Sequence, residues 1–380
     1  MKTTILNVEN RDLQGSVRKF LRRLLESGFV DALLVPKMLP TGDGFVQSLI
    51  KDPAMLDDAN PVAPTMAVQS ARILSDLTSS PFEGRIGAVL KPCELRAVME
   101  LVKFLQVDLE NVVTIGVDCL GTYEVKEYAE MVHSGKELSP QRFWEGAKEG
   151  KTPSGKDYPV RAACQICEYP VPLNADIAFG FLGYDPSEEI LLTVGDRFKE
   201  TLTEKLSLEL TEGNSAKREE VIESVIRKRK EERVRVMDEL EERVYGIDKL
   251  METLSTCIRC HNCMNVCPIC YCKECVFKSS VFEHRSDQFL TWANRKGAIR
   301  MPSDTLIFHL TRMSHMATSC VGCGMCDSAC PSQLPISNLF GLIGGELQEM
   351  FAYVPGRDVA EEPPVSVFKE KELEATAGGD

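Results

Sequence analysis

Fifteen cysteines occur in this 380-residue chain, and most of them are concentrated between residues 257 and 330. Eight of these form two copies of the spacing C-x2-C-x2-C-x3-C, each followed by proline. This spacing lets one tight loop wrap three thiolates around three iron corners of a cubane cluster. Proline suits the first turn of the helix that follows, because that position needs no donor N–H. The two copies are Cys257, Cys260, Cys263 and Cys267 before Pro268, and Cys320, Cys323, Cys326 and Cys330 before Pro331.

The repeated spacing predicts two 4Fe-4S clusters, as in a bacterial-type ferredoxin. The fourth cysteine of such a motif usually binds the cluster of the other motif. Zinc is the alternative metal, but zinc sites show paired C-x2-C knuckles rather than four cysteines that end in Cys-Pro. We expect one cluster on Cys257, Cys260, Cys263 and Cys330, and the other on Cys320, Cys323, Cys326 and Cys267.

A further three cysteines in this region are surplus to the two clusters: Cys270, Cys272 and Cys275. They could bind another metal, one of them could replace a motif cysteine, or they could be buried thiols beside a cluster. The sequence leaves these alternatives open. A helix is predicted over residues 303–317, and its histidines, His309 and His315, are interpreted as ordinary helix residues rather than as ligands.

The chain before this region alternates between helical and strand patterns. Apolar side chains recur at helical spacing over residues 12–28 and again over residues 94–105. Short apolar runs between them predict buried strands. Strands that alternate with helices predict an α/β domain. The predicted strands are residues 30–36, 85–90, 111–118, 176–180 and 189–194.

Four more cysteines lie in this α/β part. Cys93 and Cys119 each follow a predicted strand, and Cys164 and Cys167 form a C-x2-C pair. Strand ends on one side of an α/β sheet are where sites form, so the four side chains could converge on one cluster. The alternatives are buried structural thiols for the first two cysteines and a zinc knuckle for the close pair.

Four separated stretches carry a family resemblance: residues 28–35, 89–97, 114–122, and 164–169 with 174–180. In this order they resemble the beta subunits of coenzyme F420 hydrogenases and formate dehydrogenases. The resemblance implies an FAD-binding α/β domain with a 4Fe-4S cluster near the flavin. It assigns the ligand role to Cys93, Cys119, Cys164 and Cys167. It also implies a hydride carrier, which could be coenzyme F420 or NAD(P)H.

Residues that could contact the flavin are suggested only by their position. No G-x-G-x-x-G follows a predicted strand. Gly15 and Ser16 lie where a helix start could approach a phosphate. Lys91 could place a positive charge near the flavin ring or a phosphate. Gly121 and Thr122 follow a strand end. The alternatives are a turn glycine, a helix cap and a surface lysine.

Composition limits the partners and the location. The formal net charge is −13, which argues against nucleic acid and anionic membranes as partners. No apolar run approaches the ~20 residues of a membrane span, and the first residues lack a signal-peptide pattern, so a cytoplasmic location is expected. Residues 214–254 are rich in Glu, Arg and Lys, and we interpret them as a solvated linker helix rather than as a partner surface.

The predicted organisation has four parts: residues 1–212 as a flavin and cluster domain, 213–255 as a charged helical linker, 256–352 as a two-cluster ferredoxin domain and 353–380 as an acidic, disordered tail. This pattern indicates an oxidoreductase subunit that moves electrons between a hydride carrier and a partner through FAD and clusters. The expected partner is a formate dehydrogenase, a hydrogenase or a heterodisulfide-reductase-like subunit. The alternative is a relay subunit that holds clusters but no flavin.

Overall fold

A computed structural model describes residues 2–136, 140–153, 158–211, 216–299, 304–366 and 370. The predicted boundary between residues 212 and 213 and the last ten residues of the predicted tail lie outside these ranges. None of the helices in the described ranges combines the length and the apolar character that crossing a membrane requires.

Within the described residues, seven strands form one sheet in the order β1-β7-β6-β5-β4-β2-β3. The central strands β2, β4, β5 and β6 are parallel, whereas β1, β3 and β7 pair antiparallel to their neighbours. The strands are β1 (Lys2–Asn7), β2 (Ala32–Met38), β3 (Phe45–Ile50), β4 (Ile86–Leu90), β5 (Val112–Val117), β6 (Ile177–Gly180) and β7 (Glu189–Val194).

Helices complete the sheet domain, join it to the cysteine-rich region and build most of that region. The sheet domain contains α1 (Leu13–Glu26), α2 (Ser70–Leu77), α3 (Pro92–Lys103), α4 (Val125–His133), α5 (Pro140–Trp144), α6 (Ala162–Gln165) and α7 (Lys199–Leu206). After it come α8 (Ala216–Val244), α9 (Ile247–Thr253), α10 (Asn262–Asn265), α11 (Ser286–Lys296), α12 (Thr305–Met316), α13 (Met325–Ser328) and α14 (Ile336–Met350).

Two apolar cores cover the two faces of the sheet. On one face, α1 packs Val17, Phe20 and Leu24 into a core that includes alternate residues of β5. On the other face, α2 and α3 pack against a second core that includes Leu34 and Leu90. Every residue of β4 and β5 is buried, as parallel strands covered on both sides must be. The predicted α/β architecture is confirmed for this domain.

The sequence patterns locate the five inner strands to within two or three residues, but β1 and β3 escape them. Both are antiparallel edge strands, and their burial is irregular rather than continuous. Edge strands carry a weak pattern because only one of their sides pairs and much of their surface meets solvent. The apolar-run criterion therefore finds only the covered strands.

The charged segment after the sheet domain forms the long helix α8, and one face of it is buried. Arg218 makes a two-pronged ion pair with Asp118, with nitrogen–oxygen distances of 2.6 and 2.9 Å. Arg229 donates to the carbonyls of Leu120 and Cys167. The interpretation as a solvated linker is wrong for this face. An arginine counts as polar in a sequence pattern, but its stem packs on apolar surface while its guanidinium serves buried carbonyls.

The beginning of the predicted tail packs on α3. Tyr353 is buried and its hydroxyl donates to Glu100 over 2.6 Å. Gly356 donates its N–H to the same carboxylate. Arg96, also on α3, donates to the carbonyl of Pro355. These bonds tie the end of the cysteine-rich region to the helix that begins next to Cys93.

Candidate metal centres

Two of the four cysteines of the sheet domain directly follow parallel strands, and the other two lie in and just after a short helix in the connection between β5 and β6. Cys93 is in the first turn of α3, directly after β4, and Cys119 follows β5. Cys164 is in α6, and Cys167 follows α6. Short loops after adjacent parallel strands necessarily meet at one sheet edge. This edge therefore assembles thiols that are far apart in the sequence.

The electrostatics of these thiols show that they are neighbours. Burial raises the pKa of Cys93, and repulsion from Cys119 and Cys167 raises it further. Burial and repulsion from Cys164 raise the pKa of Cys119 to about 11. We call Cys93, Cys119, Cys164 and Cys167 the sheet group. A positively charged iron–sulfur core would stabilise the thiolates of Cys93 and Cys119, which burial and repulsion otherwise disfavour.

Two buried arginines and a threonine serve the sheet group. Arg161 donates to Thr122 Oγ1 over 2.8 Å and lies 3.7 Å from Cys164 Sγ. Burial alone would raise the pKa of Cys164, but the Arg161 charge and a hydrogen bond with Thr122 outweigh it and lower this pKa. The charge of Arg229 acts in the same direction. These side chains favour the anionic form of the thiol that a cluster requires.

The residues predicted to contact a flavin are engaged by protein groups instead. The Asp12 carboxylate accepts from the Gly15 N–H, so an anion already occupies the position where a phosphate would bind. Ser16 Oγ accepts from the Glu9 N–H. A Cβ at Gly121 would meet protein atoms at 3.1 Å, so this glycine lines no open cradle.

The remaining two of these five residues belong to the sheet group. Thr122 is bonded to Arg161, and Lys91 is buried, where its charge lowers the pKa of Cys119. The threonine hydroxyl and the lysine ammonium therefore interact with the sheet group and favour the thiolate forms of its cysteines. As flavin contacts, the five residues do not fit this structure.

Each ferredoxin motif folds as a loop that enters a helix of one turn. The first motif enters α10 through His261, and the second enters α13 through Gly324, each in the left-handed backbone region. Backbone N–H groups point at the thiols: Arg259 N lies 3.4 Å from Cys257 Sγ. A further N–H contact reaches Cys330 from Leu334, also at 3.4 Å. Donors aimed at sulfur stabilise cluster thiolates.

The structure brings the motif cysteines together in the crossed arrangement. Burial raises the pKa of Cys263 to about 11, with further repulsion from Cys257, Cys260 and Cys330. Burial also raises the pKa of Cys326, and repulsion from Cys323, Cys267 and Cys320 adds to it. We call these sets the outer group (Cys257, Cys260, Cys263, Cys330) and the middle group (Cys267, Cys320, Cys323, Cys326). In each, the fourth thiol comes from the other motif.

Helix α12 supplies two polar side chains to the outer group. Arg312 is buried and donates to Cys263 Sγ and to the Cys263 carbonyl, each over 3.1 Å. His309 Nε2 lies 3.3 Å from Cys257 Sγ. Burial and the Arg312 charge lower the pKa of His309 to about 4, so the ring is neutral at pH 7. Reading His309 as an ordinary helix residue misses this contact.

The sheet group and the middle group face each other across the domain junction. Repulsion from Cys323 contributes to the raised pKa of Cys93. Arg161 reaches across to Ser328 Oγ at 3.3 Å and to Met325 Sδ at 3.6 Å. Arg96 crosses the same junction and donates to the Val321 carbonyl. The three groups therefore lie in series: sheet, middle and outer.

Among the described residues, no set of three or more His, Cys, Asp or Glu side chains is arranged to hold a single metal ion. In a cubane cluster each thiolate binds a different iron atom, so its ligands surround a larger body than one ion. All twelve thiols of the three groups are free of disulfides. Twelve thiols in three sets of four, with N–H and guanidinium donors around them, are a donor set that fits cubane clusters.

Two family models match this chain. Residues 83–212 match the C terminus of the beta subunit of coenzyme F420 hydrogenase/dehydrogenase, and this match covers all four cysteines of the sheet group. Residues 253–334 match the 4Fe-4S dicluster domain, which covers both ferredoxin motifs. The resemblance predicted from the sequence is thereby confirmed. Along this chain, the stretch similar to the C terminus of that beta subunit is followed by the stretch that matches the 4Fe-4S dicluster domain.

Two curated relatives align with this chain along almost their whole length. The F420-dependent formate dehydrogenase subunit beta of Methanocaldococcus jannaschii is 25% identical over 370 residues, which cover 90% of this chain and 92% of the relative. The F420-dependent formate dehydrogenase 1 subunit beta of Methanococcus maripaludis is 29% identical over 386 residues, which cover 94% of each. A chain in a solved structure of the F420-reducing [NiFe] hydrogenase complex from Methanosarcina barkeri, prepared for xenon derivatization, aligns with a TM-score of 0.47 and 14% identity, over 65% of this chain and 94% of that chain.

The sequence analysis missed four buried arginines that serve the cysteine groups or their junction, and a fifth, Arg218, that pairs with Asp118 next to Cys119: the four are Arg96, Arg161, Arg229 and Arg312. Two of these five lie in the charged segment, where they are indistinguishable from solvated neighbours. Arg161 precedes Cys164 by three residues and Arg96 follows Cys93 by three, and this closeness is the local signal that the sequence offers. The others come close to the cysteines only through tertiary packing.

Proposed function

We propose that this chain is the electron-transferring beta subunit of an oxidoreductase complex. In this proposal three 4Fe-4S clusters are held by the sheet, middle and outer groups, and single electrons pass along them to or from a partner subunit. Nearly full-length similarity to formate dehydrogenase beta subunits supports the assignment. The observation that carries it is the serial placement of the three groups: Arg161, which contacts Cys164 of the sheet group, also donates to Ser328 of the second ferredoxin motif.

The chain's own residues hold and separate the charges in this arrangement. When bound, the clusters accept and donate one electron each. Arg161 and Arg312 are buried cations near thiols of the sheet and outer groups, so they offset the negative charge that reduction adds. The apolar side chains around the middle and outer groups, such as Phe340 and Leu339, keep water away from the sulfurs.

The proposed function also requires a hydride carrier that exchanges electrons with this subunit. The relatives are F420-dependent, so we propose coenzyme F420 as the carrier, with NAD(P)H as the alternative. The resemblance implies that FAD converts the hydride into single electrons. Because the five predicted contacts do not fit a flavin here, no residue of this chain is assigned to flavin binding.

A second candidate is a relay subunit that holds clusters but no flavin. One observation favours it: Gly121 and Thr122, predicted to contact the flavin, are instead packed within the sheet group. In that case the chain would carry electrons between two other subunits. The partner would be a formate dehydrogenase, a hydrogenase or a heterodisulfide-reductase-like subunit in either case.

Anaerobic cofactor analysis of the purified chain tests these proposals. The quantities are iron, acid-labile sulfide, zinc and acid-released flavin per chain. About twelve irons with about one FAD support the flavin-containing subunit. About twelve irons with no flavin support the relay. About eight irons would remove the sheet group from the proposal, and zinc in place of iron would overturn both candidates.

A further inference from the structure

Three thiols that belong to none of the cysteine groups line one cavity. Cys270, Cys272 and Cys275 face a cleft of about 1190 Å³ between the cysteine-rich region and the sheet domain. Residues of α2 and the segment after α3, among them Arg72 and Gln106, form its opposite wall. The volume exceeds that of most ligand-binding clefts. The surplus cysteines therefore share a space that can hold a small molecule.

The three thiols differ in what they contact. Cys270 shares a side-chain hydrogen bond with Cys267, a member of the middle group, and a second one with Arg312. Cys275 is half-buried and donates to Met264 Sδ over 3.8 Å. Cys272 is exposed. The three thiols therefore extend from Cys272 at the surface of the cleft to Cys270, which contacts the middle group.

Cys272 and Cys275 have the spacing of a redox dithiol. They are separated by Lys273 and Glu274, which form a bend in the chain. A C-x2-C pair around a bend is the arrangement in which an exposed thiol attacks a disulfide and its partner resolves the mixed disulfide. Exposure of Cys272 and partial burial of Cys275 fit these two roles in that order.

We propose that Cys272 and Cys275 form a redox-active dithiol that reduces a small-molecule disulfide bound in this cleft. Cys270, through its contact with Cys267, is the position at which electrons reach the dithiol. The inference rests on the proposed function, because the middle group supplies the electrons. The lining favours a small occupant with both polar and apolar parts, since Tyr271, Phe277 and Lys278 all line the cleft.

The reaction balances in two steps. First, the Cys272 thiolate attacks one sulfur of the substrate disulfide and releases one thiol. Cys275 then attacks the mixed disulfide, which releases the second thiol and leaves a Cys272–Cys275 disulfide. Second, two electrons, delivered singly through the middle group, and two protons from solvent restore both thiols. The sum is one disulfide plus two electrons and two protons giving two thiols.

Differential alkylation followed by peptide mass spectrometry tests this in the full-length chain with its clusters in place. The probe disulfide is 2-hydroxyethyl disulfide, one equivalent, added anaerobically to the dithiol form. We expect a peptide with Cys272 linked to Cys275, protected from alkylation. Reduced methyl viologen should then restore both thiols. Arg285→Gln, at an exposed residue outside the cleft, is the control and should behave like the unchanged chain.

Two variants separate the roles of the thiols. Cys272→Ser should abolish the linked peptide. Cys270→Ala should still form it, but viologen should restore the thiols at least tenfold more slowly, while the iron content of the chain stays unchanged. Equal restoration rates would overturn the role of Cys270. Failure to form the Cys272–Cys275 link, or zinc or additional iron that disappears in Cys272→Ser, would overturn the proposal.

The first step distinguishes this inference from the proposed function. Formation of the linked peptide by the probe requires only the two thiols and no cluster. If the link forms but the cluster analysis finds fewer irons than expected, the proposed electron supply fails and the dithiol stands. If the clusters are complete and the link does not form, the proposed dithiol fails and the proposed electron-transfer function stands.

Discussion

Gly324 lies so close to Ala163 that a Cβ at residue 324 would overlap the Cβ of Ala163. Gly324 opens α13 of the second ferredoxin motif, and Ala163 is in α6 beside Cys164. This backbone approach is what allows Arg161 to bond across the junction to Ser328. The middle and sheet groups therefore depend on the absence of one side chain for their proximity.

Substitution of Gly324 by alanine should loosen this junction. Both the overlap with Ala163 and the left-handed backbone at residue 324 oppose a side chain. The matched control is Gly322→Ala, where φ is also positive (+67°) but nothing lies within 4 Å. The backbone cost of about 1 kcal/mol is common to both. Gly324→Ala should unfold at a lower denaturant concentration than Gly322→Ala, and an added reductant should reduce its ferredoxin clusters more slowly. If the two variants behave alike, the close approach of Gly324 to Ala163 has no consequence for stability or electron transfer.

The crossed ligand sets predict which cysteine variants resemble each other. Cys330→Ser removes a ligand from the outer group, so its EPR spectrum should match that of Cys260→Ser. Cys267→Ser should match Cys323→Ser instead, because both weaken the middle group. Each variant is compared after anaerobic reconstitution with iron and sulfide. If Cys330→Ser matches Cys323→Ser, each motif holds its own cluster and the crossed arrangement is wrong.

Arg312 should raise the reduction potential of the outer group. A buried guanidinium that donates to Cys263 stabilises the reduced, more negative cluster more than the oxidised one. Loss of such a charged hydrogen bond is expected to lower the potential by on the order of 50 mV. Arg312→Gln tests this in an EPR-monitored redox titration, and the exposed Arg285→Gln is the control. An unchanged potential with full iron content would show that Arg312 only packs.

The buried strands and the ferredoxin motifs could be predicted from the sequence because both depend on local residue patterns. Continuous apolar runs mark β4 and β5 because strands covered on both faces must be apolar throughout. The ferredoxin spacing is equally local, since one loop wraps one cluster. Arg218 and Arg312 could not be found this way. Their roles depend on Asp118 and Cys263, residues about a hundred and about fifty positions away.

The prediction of flavin contacts shows the same limit. A glycine near a helix start, as at Gly15, indicates a phosphate site only if the N–H groups remain free. Here the carboxylate of Asp12 caps them. The sequence predicts Lys91 as a flavin contact or a surface cation, yet it is buried and stabilises the Cys119 thiolate. A residue's position after a strand end predicts that it lies near a site, but it does not predict which ligand that site binds.

The Arg218–Asp118 pair should be costly to break because both partners are buried. Asp118 also accepts the N–H groups of Phe181 and Leu182, so its carboxylate organises the loop after β6 as well as α8. Asp118→Asn leaves the Arg218 charge buried without its counter-ion, and such losses typically cost about 3–5 kcal/mol. We expect faster hydrogen exchange over residues 216–230 and a lower unfolding midpoint, with iron content measured in the same samples.

Arg235 on the same helix is the matched control, because it forms two exposed ion pairs, with Glu232 and with Glu239. Arg235→Gln should cost no more than about 1 kcal/mol, because water screens exposed charges. The double variant Asp118→Asn with Arg218→Met removes both charges and should recover part of the loss, since no unpaired ion remains. If Asp118→Asn is no more destabilising than Arg235→Gln, the pair does not hold α8 against the sheet group, and the helix is attached through its apolar residues.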